Sequence, residues 1–204
     1  MQTKEVILRL KGGLGNQLYI FFFAQYLHEK YQIRVKIDKI SGFVFDKYKR
    51  NNTLKYFMVD ISYSSLYQSL YFPIQKRSKL LSRIVYGDVG YVYECDLNDL
   101  EKNLNSYNVI YADGYWQSDM FYAYVSKSYS RRLKIKEQYL VRVSEIRNII
   151  SSNESVAVHI RRKEYSSHGI LRLSYYLESM QILNEKNQKI VFYVFSDDIE
   201  WCKK

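Results

Sequence analysis

The residues best suited to chemistry lie in two short runs near the end of the chain, His159-Ile160-Arg161-Arg162 and Asp197-Asp198. Each follows an apolar stretch that reads as a buried strand, Val156-Ala157-Val158-His159-Ile160 and Ile190-Val191-Phe192-Tyr193-Val194-Phe195. Two adjacent arginines offer permanently charged guanidinium forks. These suit a diphosphate, whose oxygens gain charge as it departs, and losing one such contact would cost several kcal/mol, about the value of one oxyanion donor. The competing reading is a solvated pair with Glu164 as salt partner. The strand-end position beside His159 favours ligand binding, because open parallel sheets hold ligands outside the carboxyl ends of their strands. Asp197 and Asp198 stand at the equivalent edge, where they suit a ribose or purine, the N-cap of a helix starting at Ile199-Glu200-Trp201, or both. Two adjacent carboxylates without a spaced third ligand make no coordination set, so no metal is expected. His168-Gly169 lies in a polar loop, where an exposed histidine is the simpler reading.

A second candidate lies near the N-terminus, at Gly12-Gly13-Leu14-Gly15-Asn16-Gln17. Glycines between a strand and a helix let a ligand approach the backbone, and the helix start favours a negative group. The run lacks the third glycine of the dinucleotide fingerprint and the Lys-Ser/Thr of a P-loop, and tight helix-strand packing is an equal explanation. Asn16 and Gln17 are two amides suited to sugar hydroxyls. Trp116, in Gly114-Tyr115-Trp116-Gln117-Ser118, suits stacking on a sugar, but core packing is the simpler expectation.

These residues need strands to present them. Val6 to Leu10, a helix over 16–31 and Arg34 to Ile37 make a βαβ unit. Residues 46–99, with the sole proline at Pro73, read as mixed short helices and loops. Val109 to Ala112 resumes as a strand, followed by helical patterns over 120–130 and 137–150. Ser151-Ser152-Asn153 marks a break, dividing the chain into 1–152 and 153–204. Beyond it come a strand, a helix over 174–184 and a second strand. Sheets usually have about four to six strands, so this second domain is expected to be cut short. The expectation is α/β.

With 204 residues, 47% of them hydrophobic, the chain can bury one good core. No stretch reaches the roughly 20 apolar residues of a membrane span, and MQTKEVILRLKGG has no leader-like apolar region, so cytoplasmic residence is expected. Cys95 and Cys202 lack metal-ligand spacing and are expected to be reduced thiols. The formal charge of +10 would suit nucleic acid, but the cations are scattered and no recognition motif appears.

Taken in order, GGLGNQ, GYWQS, HIRRKEY and FYVFSDDIEW resemble the α-1,2-fucosyltransferase family of the bacterial type, from about residue 7 to the end. The resemblance implies a GT-B-like α/β enzyme of two Rossmann-like domains, the first on the acceptor side and the second, here incomplete, binding the donor. It implies inverting, metal-independent transfer of fucose from GDP-β-L-fucose to the 2-hydroxyl of a galactose. It assigns the donor diphosphate to His159, Arg161 and Arg162. Asp197 and Asp198 match the family's SDD, and Gly13, Gly15, Asn16 and Gln17 lie near donor and acceptor. No cofactor beyond the donor is implied. The acceptor would be a galactose-containing glycan, soluble or lipid-linked, and membrane contact would be at most peripheral, at the inner membrane. Arg161 would be the catalytic cation. Glu164, where the family has Asp, and His168 are the candidates for general base, with the leaving diphosphate as another. The family continues beyond this chain's last strand, so a truncated, binding-only remnant is the alternative.

Overall fold

The computed structural model describes residues 4–94, 97–129, 133–162 and 169–203. The chain forms two compact units, Met1–Lys136 and Glu137–Lys204. The division falls ahead of the helices that precede Ser151-Asn153, so these go with the second unit.

In the first unit the strands are β1 (Glu5–Arg9), β2 (Arg34–Asp38), β3 (Val89–Tyr93) and β4 (Val109–Asp113). They form one parallel sheet in the order β2-β1-β4-β3. The central strand β1 alternates between two cores, as the two-residue period of a strand requires. Val6 and Leu8 join a large cluster with Phe21, Phe23 and Leu27, whereas Ile7 joins a smaller one with Tyr71 and Tyr111. The large cluster lies under α1 (Leu14–Tyr31), whose Phe23 and Tyr26 pack on Phe121, with Phe23 also stacked on Trp116. Those two residues belong to α6 (Asp119–Tyr129) and to the turn before it.

Between β2 and β3 run a 3₁₀ turn over Leu54–Tyr56 and three short α-helices, α2 (Leu66–Ser69), α3 (Tyr71–Arg77) and α4 (Lys79–Tyr86). Between β3 and β4 runs α5 (Leu97–Ser106). The short helices agree with the mixed reading of 46–99, but β3 corrects it. Val89-Gly90-Tyr91-Val92-Tyr93 lacks a β-branched run and contains a glycine, which weakens the local strand signal. It is a strand because β4 beside it supplies the hydrogen-bonding partner.

The second unit begins with α7 (Glu137–Leu140), a 3₁₀ turn over Val141–Val143, and α8 (Ser144–Ser151). Strands β5 (Ser155–Ile160) and β6 (Val191–Ser196) pair in parallel, joined through α9 (Leu173–Lys186), and α10 (Ile199–Cys202) follows. Among its described residues, only Ile160 and Tyr176 are buried. This unit has little core of its own.

Candidate functional site

Parallel pairing sets His159 opposite Phe195 and Ile160 opposite Ser196, so the basic and acidic runs emerge together from adjacent strand ends. The Arg162 amide donates to Asp197 Oδ1 at 2.8 Å, a bond that ties the two runs together. The Arg162 guanidinium lies 3.8 Å from the centroid of the Trp201 ring, a cation-π contact that holds it in one place. Asp198 caps α10, its carboxylate accepting from the Trp201 amide at 3.4 Å. Asp198 is the foreseen N-cap and starts the helix that brings Trp201 under Arg162, whereas Asp197 has a part not read from the sequence, ordering the arginine segment. His159 and Arg161 are exposed. The contribution of Trp201 was not read from the sequence, although a tryptophan one helical turn after an acidic cap was its signal. Glu164 and His168 lie outside the described residues. Among those described, no group of three or more His, Cys, Asp or Glu side chains could hold a metal ion.

In the first unit, the glycine turn opens α1 as expected. Gly12 has φ +77, a conformation that favours glycine, and Asn16 packs directly on it. A Cβ at Gly13 or Gly15 would meet nothing, so open space lies above both residues, beside the helix N-terminus. Asn16 accepts from the Gln117 amide at 2.7 Å. Gln17 corrects the expectation of a sugar contact. It is fully buried, its nitrogen donates to the Gly12 and Asn51 carbonyls, and its oxygen accepts from the Thr53 amide and hydroxyl. All four hydrogen-bonding positions are used, so Gln17 braces the turn. Trp116 is a core residue, stacked on Phe23 at 4.3 Å between centroids, but with φ 55, a rare conformation for a bulky side chain. The Glu94 carboxylate holds it there by accepting from its amide.

Sequence reading missed the charged row at the carboxyl edge of the four-stranded sheet. Arg9, Asp38 and Asp113 end three adjacent strands. Asp113 is buried, pairs with Lys11 at 2.7 Å and Arg9 at 3.3 Å, and accepts from the Tyr91 hydroxyl. Asp38 is also buried and accepts from the Ser41 and Tyr111 hydroxyls, both at 2.5 Å. Burial, then the nearby Asp38 charge, raises the Tyr111 phenol; burial, then Asp113, raises that of Tyr91. The available signal was a charged residue closing each of three short strand patterns, two of them apolar and the one at Asp38 alternating. Beside this row lies a cavity of about 320 Å³, floored by Arg9 and Ser41 and walled by Val44, Phe45, Leu70 and Phe72.

Residues 90–204 match the family described as glycosyl transferase family 11. The chain is 28% identical over 214 aligned residues to an alpha-1,2-colitosyltransferase of Escherichia coli, covering 98% of this chain and 71% of that protein. It is similar in fold to the fucosyltransferase NodZ of Bradyrhizobium, with 15% identity, a TM-score of 0.52 and coverage of 97% of this chain and 73% of that one. A NodZ alpha-1,6-fucosyltransferase co-crystallized with GDP aligns with a TM-score of 0.54 at 14% identity, covering 97% and 72%. These structural neighbours are GT-B-like, which is the fold of this chain.

Proposed function

The chain belongs to glycosyl transferase family 11 and is therefore a glycosyltransferase; from that premise we propose that it moves L-fucose from GDP-β-L-fucose to the 2-hydroxyl of a galactoside, with inversion and without a metal. The observation that carries this reading is the strand-end arrangement inside the family-matched segment. There His159, Arg161 and Arg162 leave β5 beside Asp197 and Asp198, and Arg162 is fixed by Asp197 and Trp201. The acceptor 2-oxygen bonds to the sugar's anomeric carbon from the face opposite the nucleotide. As it does so, the carbon-oxygen bond to the β-phosphate breaks and its electron pair leaves with GDP. Arg161 and Arg162 meet that charge with fixed cations. Asp197 positions Arg162 and is available to a ribose or guanine; Asp198 acts through the helix it caps. The acceptor proton passes to Glu164, His168 or the leaving diphosphate.

The Met1–Lys136 unit would serve the acceptor side. The open space above Gly13 and Gly15, with Asn16 beside it, supports a role for that turn in binding sugar or phosphate. The apolar cavity beside Arg9 supports an acceptor with an apolar or lipid portion. The reaction would take place in the cytoplasm, with no nucleic-acid partner.

Likeness to the alpha-1,2-colitosyltransferase favours a second reading, in which the donor carries colitose. Purified protein should be incubated with lactose and either GDP-fucose or GDP-colitose, and the linkage read by mass spectrometry and NMR. Transfer to the 2-hydroxyl, slowed by roughly 10²–10³-fold in Arg161→Ala, is expected. Transfer from the colitosyl donor alone would replace the fucosyl reading, and no transfer from either at high enzyme concentration would establish a non-catalytic remnant.

A further inference from the structure

Helix α4, Lys-Leu-Leu-Ser-Arg-Ile-Val-Tyr, is oriented the wrong way round for its own core. Its buried residue is Ser82, at 2% exposure, whereas Leu80 and Ile84 are each 72% exposed and Leu81 and Val85 are also exposed. Residues four apart share a helix face, so Leu80 with Ile84 and Leu81 with Val85 form one continuous apolar stripe. Lys79 and Arg83, also four apart, run alongside it. The helix is fastened in this orientation at its base. The Tyr67 hydroxyl donates to the Val85 carbonyl at 2.7 Å, and the Tyr86 hydroxyl donates to the Tyr67 carbonyl at 2.9 Å. Tyr67, Leu66 and Leu70, on and beside α2, are themselves exposed.

Charge identifies what such a surface fits. Residues 61–87 contain Lys76, Arg77, Lys79 and Arg83 and no aspartate or glutamate. All four cations are exposed, and among the described residues none is paired with a carboxylate. Helix α9 also exposes Leu173 and Leu177, but Glu178 and Glu185 stand among its residues. Apolar side chains flanked by uniform positive charge, with tyrosines alongside, match the boundary between anionic headgroups and acyl chains. We propose that the α2–α4 segment docks on an anionic lipid bilayer, with Leu80, Leu81, Ile84 and Val85 inserted among the acyl chains and the four cations on the headgroups. Docking is peripheral: no helix among the described residues is long and apolar enough to cross a membrane.

The test is flotation of the whole chain with vesicles, and it requires no sugar transfer, so its outcome is separate from that of the proposed reaction. The chain should float with phosphatidylcholine vesicles containing phosphatidylglycerol and not with phosphatidylcholine alone. Replacing all four cations with glutamine, or making the pair Leu80→Ser and Ile84→Ser, should each lower vesicle binding by about tenfold or more. Thermal unfolding should be little changed, because the altered side chains are exposed. Failure to float with phosphatidylglycerol vesicles, or flotation undiminished in both variants, would overturn the proposal. So would a solution dimer that Leu80→Ser/Ile84→Ser converts to monomer without any vesicle binding, since the stripe would then join two copies of the chain.

Discussion

Arg161 and Arg162 are neighbours in sequence with different local settings. Arg162 is held by the Trp201 ring and, through its amide, by Asp197, whereas Arg161 is exposed at the strand end. In the proposed reaction both meet leaving-group charge, and Arg161→Ala should lower kcat by roughly 10²–10³-fold, as removal of one oxyanion donor does. Trp201→Leu should weaken transfer less, by releasing Arg162 without removing its charge; steady-state kinetics of the two variants distinguish the roles. Tyr111 and Tyr91 give a pH prediction. Their phenols are raised above the ordinary 10.0, mainly by burial and then by Asp38 and Asp113 respectively. Above that value the unfolded chain binds fewer protons than the native one. The stability that these two phenols contribute is therefore fully present below pH 10.0 and falls as pH rises beyond it. An alkaline titration followed by tyrosinate absorbance should show an exposed class ionising first and a buried class appearing only with unfolding. A single phase without unfolding would contradict the buried network.

At the scale of elements, the start of α1 depends on a brace more than on a cap. Gly13 contributes no side chain to the helix N-terminus, and Gln17 instead links the turn to Asn51 and Thr53. Gln17→Ala would leave buried carbonyl and amide groups without partners, at a cost of about 1–3 kcal/mol for each group left unsatisfied. Urea unfolding should show that loss; preserved stability would mean that water replaces the amide. The edge of the sheet behaves similarly. Asp113→Ala would leave Arg9 and Lys11 facing each other without their shared carboxylate, and breaking a buried pair in this way costs about 3–5 kcal/mol. The same urea experiment measures it.

For the whole molecule, stability is unevenly spread. The first unit holds both buried clusters, while the second has a two-stranded sheet with Ile160 and Tyr176 buried. A sheet of two strands is marginal without further packing. Amide hydrogen exchange should therefore be slow in β1 and β4 and faster in β5 and β6. If the second unit binds the donor, GDP should slow exchange in β5 and β6 by mass action and leave β1 unchanged. Equal protection of the two units, or no response to GDP, would count against this division.

The sequence by itself determined the α/β class, the βαβ at the N-terminus and the strand-ending HIRR and SDD runs. Each of these rests on local periodicity and on residues adjacent in the chain, and the ordered motifs pointed to the family. Local patterns could not reveal β3, whose strand character comes from β4, or α5. They also could not separate the two amides of Asn16-Gln17, of which one is fully buried and the other is not. Nor could they show that Asp38, Asp113, Arg9 and Lys11 form one network, since the partners lie many residues apart and meet only at the sheet edge. The direction α4 faces was equally hidden: an amphipathic pattern defines two faces, and only packing decides which one is turned to solvent.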